Sequence, residues 1–284
     1  MSFVNDDNSG KTLIEGQKKK WLLLSGGGVK AIGLILMVMD HLHQMFVNQG
    51  IPIWFNWLGR PVAAMFLFLC AEGYYYTHNK KVYILRFLGA FILMNFVNWG
   101  LNRLLYVENV ALINNVFGTL FMSAFYMLMT DLFRKGVKER KPGRILLAVG
   151  GFLLPAAAGF VLVSLLSGGS NLIAILLFFL IPTPLTVEGS FFLVIVGASF
   201  YILRKYRWAQ VLVPVAAGLF VLLTSWGESG IPDTQWLMFT AALPILLYNG
   251  QRGRGGKYFF YVFYPAHIYL FYLIAWLLQR FSLF

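Results

Sequence analysis

The chain has 284 residues, of which 59% are hydrophobic, 17% aromatic and only 12% charged. This composition excludes an ordinary soluble globular domain, in which about a quarter of the residues are charged. The formal net charge is +12, which in a soluble chain would suggest a nucleic-acid partner. Here the basic residues stand in short connections between apolar runs, so we assign them to orientation in a lipid bilayer and expect no nucleic-acid partner.

Apolar segments follow one another along the chain after a polar N-terminal tail at residues 1–20, which we predict to be cytoplasmic. Most are long enough to cross about 30 Å of hydrocarbon as a helix. Residues 21–284 are therefore predicted to form one all-α domain, a polytopic membrane helix bundle with about nine to ten transmembrane helices. The predicted spans are 29–49, 57–76, 83–101, 110–133, 145–166, 188–204, 208–226, 235–249 and 258–281, with a further apolar segment at 171–184.

Basic residues concentrate in the connections KKK (18–20), HNKK with Arg86, RKGVKERKPGR, RKYR and QRGRGGK. All of these can be cytoplasmic only if an even number of crossings separates RKGVKERKPGR from RKYR, whereas three apolar segments lie between them. The segment NLIAILLFFLIPTPLTV is short and contains Pro182 and Pro184, so we predict that it is re-entrant or lies at the surface. This arrangement has nine crossings, a cytoplasmic N-terminus and an external C-terminus. The alternative has ten crossings with RKYR outside.

Several ionisable residues fall inside the predicted spans. Each costs about 3 kcal/mol to place at the centre of a membrane helix, so such residues are functional candidates by default. The first span contains three of them, the second two and the last one. They are Asp40, His41, His43, Arg60, Glu72 and His267.

His41 and His267 come from opposite ends of the chain but are predicted to share one level near the middle of the membrane. Lys30 lies eleven residues before His41, roughly 16 Å along a helix and within about 20° of the same face. Lys257 lies ten residues before His267, roughly 15 Å away. An imidazole is well suited to accept and return a proton, so His41 is the leading catalytic candidate; the alternative is a buried, hydrogen-bonded histidine. His43 points about 200° away from His41 and is therefore a weaker catalytic candidate.

Asp40 is predicted to find its partner on another helix. Asp40 and His41 are adjacent on one helix and their side chains point about 100° apart, so a pair between them is not expected. Arg60 is the leading partner because it enters from the outer end and a lone carboxylate in the bilayer would be costly. The pair would either belong to a functional site or clamp two helices together without chemistry.

The basic connection after the second span suggests an entrance for a polyanionic cytoplasmic ligand, because Lys and Arg bind phosphates well. An excess of positive charge on the cytoplasmic side explains the same charges equally well, and the neighbouring tyrosines at 74–76 fit interfacial anchors. The residues at this entrance are Glu72, Thr77, His78, Asn79, Lys80, Lys81 and Arg86.

An asparagine stripe marks the third span, with Asn95, Asn98 and Asn102 along one side, and the fourth span opens with Asn114 and Asn115. Such a stripe either joins helices to one another or lines a wet cavity that opens to the outer face.

The elements Asp–His, Gly–Arg, Glu–Gly–Tyr and Tyr–Pro–x–His occur in this order over most of the chain. The stretches that carry them are KAIGLILMVMDHLHQMF, LGRPVAAMFLFLCAEGYYYTHNKKVYILRF, NNVFGTLFMSAFYMLMTDLF, VEGSFFLVIVGASFYILRKY and KYFFYVFYPAHIYLF. Together they resemble the TraX family of membrane proteins, which is related to the acyltransferase-3 group of transmembrane acyltransferases. That group has a basic residue, usually Arg, followed after ten residues by a histidine, and Lys30 and His41 have this spacing.

The resemblance implies a roughly ten-helix bundle in a bacterial cytoplasmic membrane that passes an acetyl group from cytoplasmic acetyl-CoA to an acceptor. In the founding TraX proteins the implied acceptor is the N-terminal amine of a pilin; in acyltransferase-3 enzymes it is typically a sugar hydroxyl. His41 would act as general base, Asp40 and Arg60 would order the site, and His267 would assist proton transfer or help stabilise the oxyanion. No metal is expected. The implied donor-binding residues are Lys30, Glu72, Tyr76, Thr77, Asn79, Lys80, Lys81 and Arg86.

Two other interpretations stay open at this point. A proton-coupled transporter or exporter would use Asp40, His41 and His267 as a proton relay, with the asparagine stripe along its path. No internal repeat is visible in the sequence to support it. A structural assembly factor would need no chemistry, and it predicts that His41→Ala and His267→Ala leave the phenotype intact.

Overall fold

A computed structural model describes residues 23–169, 171–225, 233–253 and 259–281. The predicted cytoplasmic tail at 1–20, the KKK connection and Lys257 lie outside these ranges. All regular elements in the described ranges are helical, and two of them are 3-10 helices, at Val47–Gln49 and Thr234–Ala241. The α-helices are α1 (Gly26–Met45), α2 (Trp54–Gly59), α3 (Val62–Tyr76), α4 (Lys80–Leu104), α5 (Val116–Lys138), α6 (Pro142–Ser167), α7 (Leu172–Leu180), α8 (Ser190–Ile202), α9 (Arg207–Thr224), α10 (Ala242–Leu246) and α11 (Phe259–Arg280).

Six helical segments within the described ranges are long and apolar enough to cross a membrane: α2 with α3, α4, α5, α6, α9 and α11. Two shorter apolar segments, α8 and Thr234–Leu246, accompany them. The 20-residue α1 also belongs to the bundle, but Lys30, Asp40 and the two histidines lower its hydropathy. The all-helical membrane character is confirmed, and the count of nine to ten crossings stays a prediction.

The basic connections within the described ranges lie at one end of the bundle, called here the basic end. α1 begins there beside the segment after α10, because the Leu24 N–H donates to the Leu247 carbonyl at 3.0 Å. Lys80, at the start of α4, forms an ion pair with Asp131 near the end of α5, with Nζ and Oδ2 2.5 Å apart. The Arg204 guanidinium, after α8, lies 5.1 Å from the ring centroid of a tyrosine at the end of α3.

The remaining helix ends meet at the opposite end. Asn48, after α1, donates from Nδ2 to the Glu108 carbonyl at 3.1 Å, and the Glu108 N–H donates to Oε1 of Gln279 near the end of α11 at 2.8 Å. Arg60, just before α3, donates to Gln235 at the start of the longer 3-10 helix. Helices α1, α4, α6, α9 and α11 therefore run away from the basic end, and the elements between them return.

The short helix α7 lies in the apolar segment that we predicted to be re-entrant or superficial. Its nine residues span about 14 Å, less than half of the roughly 30 Å of hydrocarbon. Asn171 caps its start by accepting hydrogen bonds from the N–H groups of Ile173 and Ala174, and Pro182 follows its end. A helix of this length does not cross a bilayer by itself, which agrees with the nine-crossing arrangement.

The fourth predicted span, 110–133, begins six residues too early, because α5 starts at Val116. The preceding segment is held in a non-helical conformation by the asparagine stripe on α4. Asn102 donates from Nδ2 to the Leu112 carbonyl at 3.0 Å and accepts from the Leu112 N–H at 2.9 Å, as a neighbouring strand would. Asn98 donates to the Asn114 carbonyl at 3.1 Å. The stripe therefore joins α4 to the chain segment before α5.

The predicted span 235–249 begins with a 3-10 helix, Thr234–Ala241, which is followed by the short α10. A 3-10 run of this length is uncommon. It packs closely on α9 at Gly218, where an added Cβ would lie 2.5 Å from the carbonyl oxygen of Trp236. The tight contact explains why a glycine occupies this position of α9.

Candidate active site

His41 of α1 and His267 of α11 face each other inside the bundle. Nδ1 of His41 lies 2.7 Å from Nε2 of His267, and the ring centroids are 4.9 Å apart. The residues are 5% and 6% exposed, so solvent hardly reaches the pair. This contact confirms that the two histidines share one level in the bundle.

The hydrogen bonds of His267 assign the protons of the neutral pair. Nδ1 of His267 lies 2.8 Å from the Phe263 carbonyl, and a carbonyl only accepts, so this nitrogen carries the hydrogen. Nε2 of His267 is then an acceptor, and His41 donates to it from Nδ1. Nε2 of His41 is left with a free lone pair and has no hydrogen-bond partner among the described residues. The pair thus presents one imidazole nitrogen with a free lone pair, and the hydrogen bond to His267 fixes the orientation of its ring.

Asp40 binds the helix that precedes α3, not the histidine pair. Its Oδ1 accepts a hydrogen bond from Nδ2 of Asn56 at 2.9 Å and lies 3.6 Å from Nη2 of Arg60, which confirms the predicted partner. A Cβ added to Gly59 would lie 2.4 Å from Cβ of Asp40, so α1 and α2 approach this closely only with glycine there. Arg60 also donates to Oε1 of Gln235 at 3.2 Å and so connects three elements.

His43 lies apart from the histidine pair, although it is close enough to Asp40 to interact with it electrostatically. Its Nδ1 is 2.8 Å from the carbonyl of Ile51, in the connection between α1 and α2. The ring therefore holds a turn at the opposite end, and His43 supplies a natural control for any test of His41.

Glu188 is a neighbour of the site that sequence reasoning missed. Its Oε2 accepts a hydrogen bond from the Asn115 N–H at 3.0 Å, and its carbonyl accepts one from Oγ1 of Thr119 at 2.5 Å. Asp40 and Arg60 lie close enough to interact with it electrostatically. A signal was present, since Glu188 is the sole acidic residue in the long apolar stretch between residues 140 and 227.

Tyr264 connects Glu188 to the histidine pair. Its hydroxyl accepts a hydrogen bond from the Val116 N–H at 3.1 Å, next to the amide of Asn115 that binds Glu188. Its ring centroid lies 6.2 Å from that of His41. The first amides of α5 therefore bind both a carboxylate and a hydroxyl beside the histidines, as expected at a positive helix start.

At the basic end, Lys80 is held by a carboxylate that sequence reasoning also missed. Oδ2 of Asp131 accepts from Lys80 and, at 3.1 Å, from the Tyr74 hydroxyl, while its Oδ1 accepts from the Tyr201 hydroxyl at 2.5 Å. A phosphate that bound Lys80 would have to compete with this ion pair.

The other predicted donor-binding residues also lie at the basic end, and several have local roles. Asn79 caps α4 by accepting from the Val82 N–H at 3.0 Å, and Thr77 ends α3. Glu72 is a hydrogen-bond partner of Tyr248. The remaining residues stand at the surface or half-buried beside it: Tyr76, Lys81 and Arg86.

Lys30 is partly buried in α1 and lies near Arg252, a neighbour that the sequence did not predict. Neither side chain forms an ion pair with a carboxylate in the described part of the chain. The amides of Gly26 and Gly27 are occupied, because they donate to the carbonyls of Gln251 and Arg252 at 2.7 and 3.0 Å. Two like charges without a counter-ion at this position suit an anionic ligand.

Comparisons with known proteins place this arrangement in a family. No curated protein and no solved structure matches the chain. Residues 25–275 match the family model described as TraX protein. The match includes both histidines, the Asp40–Arg60 pair and Glu188. Since it covers most of the chain, this helical membrane protein belongs to the TraX family.

Proposed function

We propose that the protein is a membrane-embedded acetyltransferase that moves an acetyl group from cytoplasmic acetyl-CoA to the amine of a peptide N-terminus or to a hydroxyl. The observation that carries this proposal is the free Nε2 of His41, whose opposite nitrogen is fixed by His267. A base oriented by a third group is the arrangement that acyl transfer to a weak nucleophile requires. The relationship to acyltransferase-3 enzymes stays an expectation.

In the proposed reaction, Nε2 of His41 takes a proton from the acceptor while the acceptor nitrogen or oxygen attacks the thioester carbonyl. The new C–N or C–O bond forms as the C–S bond breaks, and the CoA thiolate leaves with the proton that His41 returns. His267 keeps its hydrogen bond to Nδ1 of His41 throughout and stabilises the imidazolium. Asp40 and Arg60 hold α1 against α2, which fixes the position of the base.

The donor would approach from the basic end, which we place in the cytoplasm on the basis of its positive charge. Lys30 and Arg252 are the strongest candidates for contacts to the CoA phosphates, because they are close together and lack carboxylate partners among the described residues. Lys81 adds an exposed charge at the same end.

The alternative, a proton-coupled transporter, would need Asp40 to exchange protons with the histidines. The hydrogen bond of Asp40 goes to Asn56, and its ion pair is with Arg60. We therefore favour acetyl transfer.

Purified protein incubated with radiolabelled acetyl-CoA and either a free-amine peptide or a sugar tests the proposal. We expect wild-type transfer to one of these acceptors and a loss of about 100-fold in His41→Gln, the usual contribution of a positioned base. His43→Gln is the matched control, since it alters a histidine of the same helix that does not contact the His41–His267 pair. Absence of CoA binding and of transfer in the wild type, or full activity of His41→Gln, would contradict the proposal.

A further inference from the structure

The turn between α5 and α6, residues 134–144, is the most strongly charged part of the basic end. These eleven residues include one carboxylate, Glu139, and six basic residues, which gives a net charge of +5. The basic residues are Arg134, Lys135, Lys138, Arg140, Lys141 and Arg144. An excess of positive charge orients a membrane protein, but orientation requires no particular arrangement of the cations. The arrangement in this turn therefore needs its own explanation.

Glu139 balances only part of this charge. Its carboxylate forms ion pairs with Lys135 at 3.8 Å, with Lys141 at 3.1 Å and with Arg144. The other three basic residues form no ion pair with a carboxylate in the described ranges: Arg134, Lys138 and Arg140. All three are exposed, so they can reach a ligand at the surface.

The backbone of the turn brings the cations close together. The Lys141 N–H donates to the Gly136 carbonyl at 2.9 Å, a bond that closes the end of α5. The Arg140 N–H donates to the Val137 carbonyl at 3.2 Å. A Cβ added to Gly136 would lie 3.0 Å from the backbone nitrogen of Ile145, so α6 begins directly against the last turns of α5. The six cations are therefore confined to one small area.

Two features of the turn favour a binding role for its positive charge. Arg140 has a φ of +52°, a left-handed conformation that glycine usually provides after a helix because a Cβ is strained there. Lys141 and Arg144 stand at the start of α6, where the helix dipole disfavours cations. Neither local backbone preference nor the dipole explains these basic residues, and such strained positions are typical of functional sites.

Exposed apolar side chains flank the turn on both helices. Phe133 and Val137 of α5 are exposed one turn or less from the unpaired cations. Leu146 and Leu147 of α6 are exposed just after the turn and continue into an apolar helix that buries little of its surface against the bundle. Lipid chains cover such a surface, and lipid phosphates lie at the level where the helices leave the hydrocarbon. A phospholipid therefore offers a partner for both kinds of side chain.

We propose that the α5–α6 turn binds an anionic phospholipid, with Arg134, Lys138 and Arg140 at the headgroup phosphate and Phe133 and Val137 against an acyl chain. Clusters of four to eight basic residues next to a membrane helix attract anionic lipids, and each Lys or Arg strengthens the attraction about fivefold. A soluble polyanion or an acidic protein segment would gain nothing from the flanking apolar side chains. The proposal does not depend on acetyl transfer.

Native mass spectrometry of the purified full-length protein in neutral detergent tests this proposal, with titration of phosphatidylglycerol or phosphatidylcholine of identical chains. We expect the first phosphatidylglycerol to bind about tenfold more tightly than the first phosphatidylcholine. Lys138→Gln/Arg140→Gly removes two unpaired cations and should reduce this preference to about twofold or less. Because glycine suits the left-handed position, the melting temperature in detergent should be unchanged or higher. Lys81→Gln/Lys205→Gln removes two exposed cations elsewhere at the basic end and is the matched control, which should keep the preference.

Glu139→Gln should act in the opposite direction. It releases Lys135, Lys141 and Arg144 from their shared carboxylate and adds one unit of net positive charge. We expect the preference for phosphatidylglycerol to rise about fivefold. An unchanged preference in this variant would contradict a headgroup bound at the turn.

Equal affinity of the wild type for the two lipids would overturn the proposal. An equal loss of preference in the control Lys81→Gln/Lys205→Gln would also overturn it, because the effect would then come from the net charge of the basic end. The free headgroup glycerophosphoglycerol and polyglutamate serve as competitors. If either displaces the bound lipid as well as phosphatidylglycerol does, the turn binds soluble anions and the lipid assignment is wrong. The wild-type comparison needs no variant, so it holds even if a variant does not fold.

Discussion

Asp131 at the basic end and Glu188 at the opposite end are both carboxylates among polar side chains, but their surroundings differ. Asp131 forms an ion pair with Lys80 and accepts hydrogen bonds from two tyrosine hydroxyls. Glu188 receives one backbone hydrogen bond through its carboxylate, next to amide oxygens that have no partner in the described ranges. A satisfied charge cluster stabilises a fold, whereas a carboxylate that forms no ion pair contributes little to stability. A carboxylate thus holds helices together at the basic end, whereas the carboxylate at the opposite end forms no ion pair among the described residues.

The largest expected effect concerns the histidine pair that lies near Glu188. His267→Leu removes the acceptor for Nδ1 of His41, so we expect acetyl transfer to fall by about 100-fold. His267→Gln keeps a carbonyl oxygen that can accept this hydrogen bond and should recover most of the loss in kcat. If the leucine and glutamine variants are equally impaired, His267 does more than position His41. Measurement of kcat for both variants decides this.

Replacing each of the two carboxylates by its amide tests this comparison. Asp131→Asn leaves Lys80 without its counter-ion and should lower the free energy of unfolding by about 2 kcal/mol. Glu188→Gln removes a carboxylate that forms no ion pair in the described ranges and should leave thermal stability unchanged or higher. Thermal denaturation in detergent measures the stability of both variants. Destabilisation of Glu188→Gln by as much as Asp131→Asn would remove the distinction.

A smaller effect is expected for the donor end. Lys30→Gln removes one of the two charges near the start of α1, so the KM for acetyl-CoA should rise about tenfold, the effect of losing roughly 1.4 kcal/mol of binding, with kcat nearly unchanged. Lys138→Gln, at the exposed end of α5, is the control for a general loss of positive charge. An equal rise in KM for both variants would show that no specific phosphate contact involves Lys30.

The smallest effect is expected for the exposed charge cluster between α5 and α6. A hydrogen bond from Lys141 and the nearby charge of Arg144 hold the pKa of the Glu139 carboxyl below its ordinary value. The resulting stabilisation is present at neutral pH and is lost as the pH falls through the lowered pKa. Because the group is solvent-exposed, Glu139→Gln should leave the melting temperature at neutral pH nearly unchanged. A large drop would mean that this turn, and not Asp131, anchors the basic end.

Much of the fold followed from the sequence because lipid imposes simple local rules. Apolar runs located the helices. The number of crossings allowed between two basic connections identified the segment that contains α7, a helix too short to cross the bilayer. The cost of an unpaired carboxylate led from Asp40 to Arg60, and helix rise placed His41 and His267 at one level. The predicted start of the fourth span was wrong. Asn98 and Asn102 hold the residues before α5 out of the helix through hydrogen bonds that hydrophobic periodicity does not reveal.

The sequence by itself determined an all-helical membrane protein with a buried imidazole as its best chemical candidate. Only the tertiary structure decided that His41 and His267 share a hydrogen bond, which leaves Nε2 of His41 with a free lone pair. It also decided that Asp131 forms an ion pair with Lys80, whereas Glu188 forms none within the described ranges. These facts depend on atoms brought together from residues 51 to 226 positions apart, and local hydropathy and helix geometry contain no information about which distant helices become neighbours.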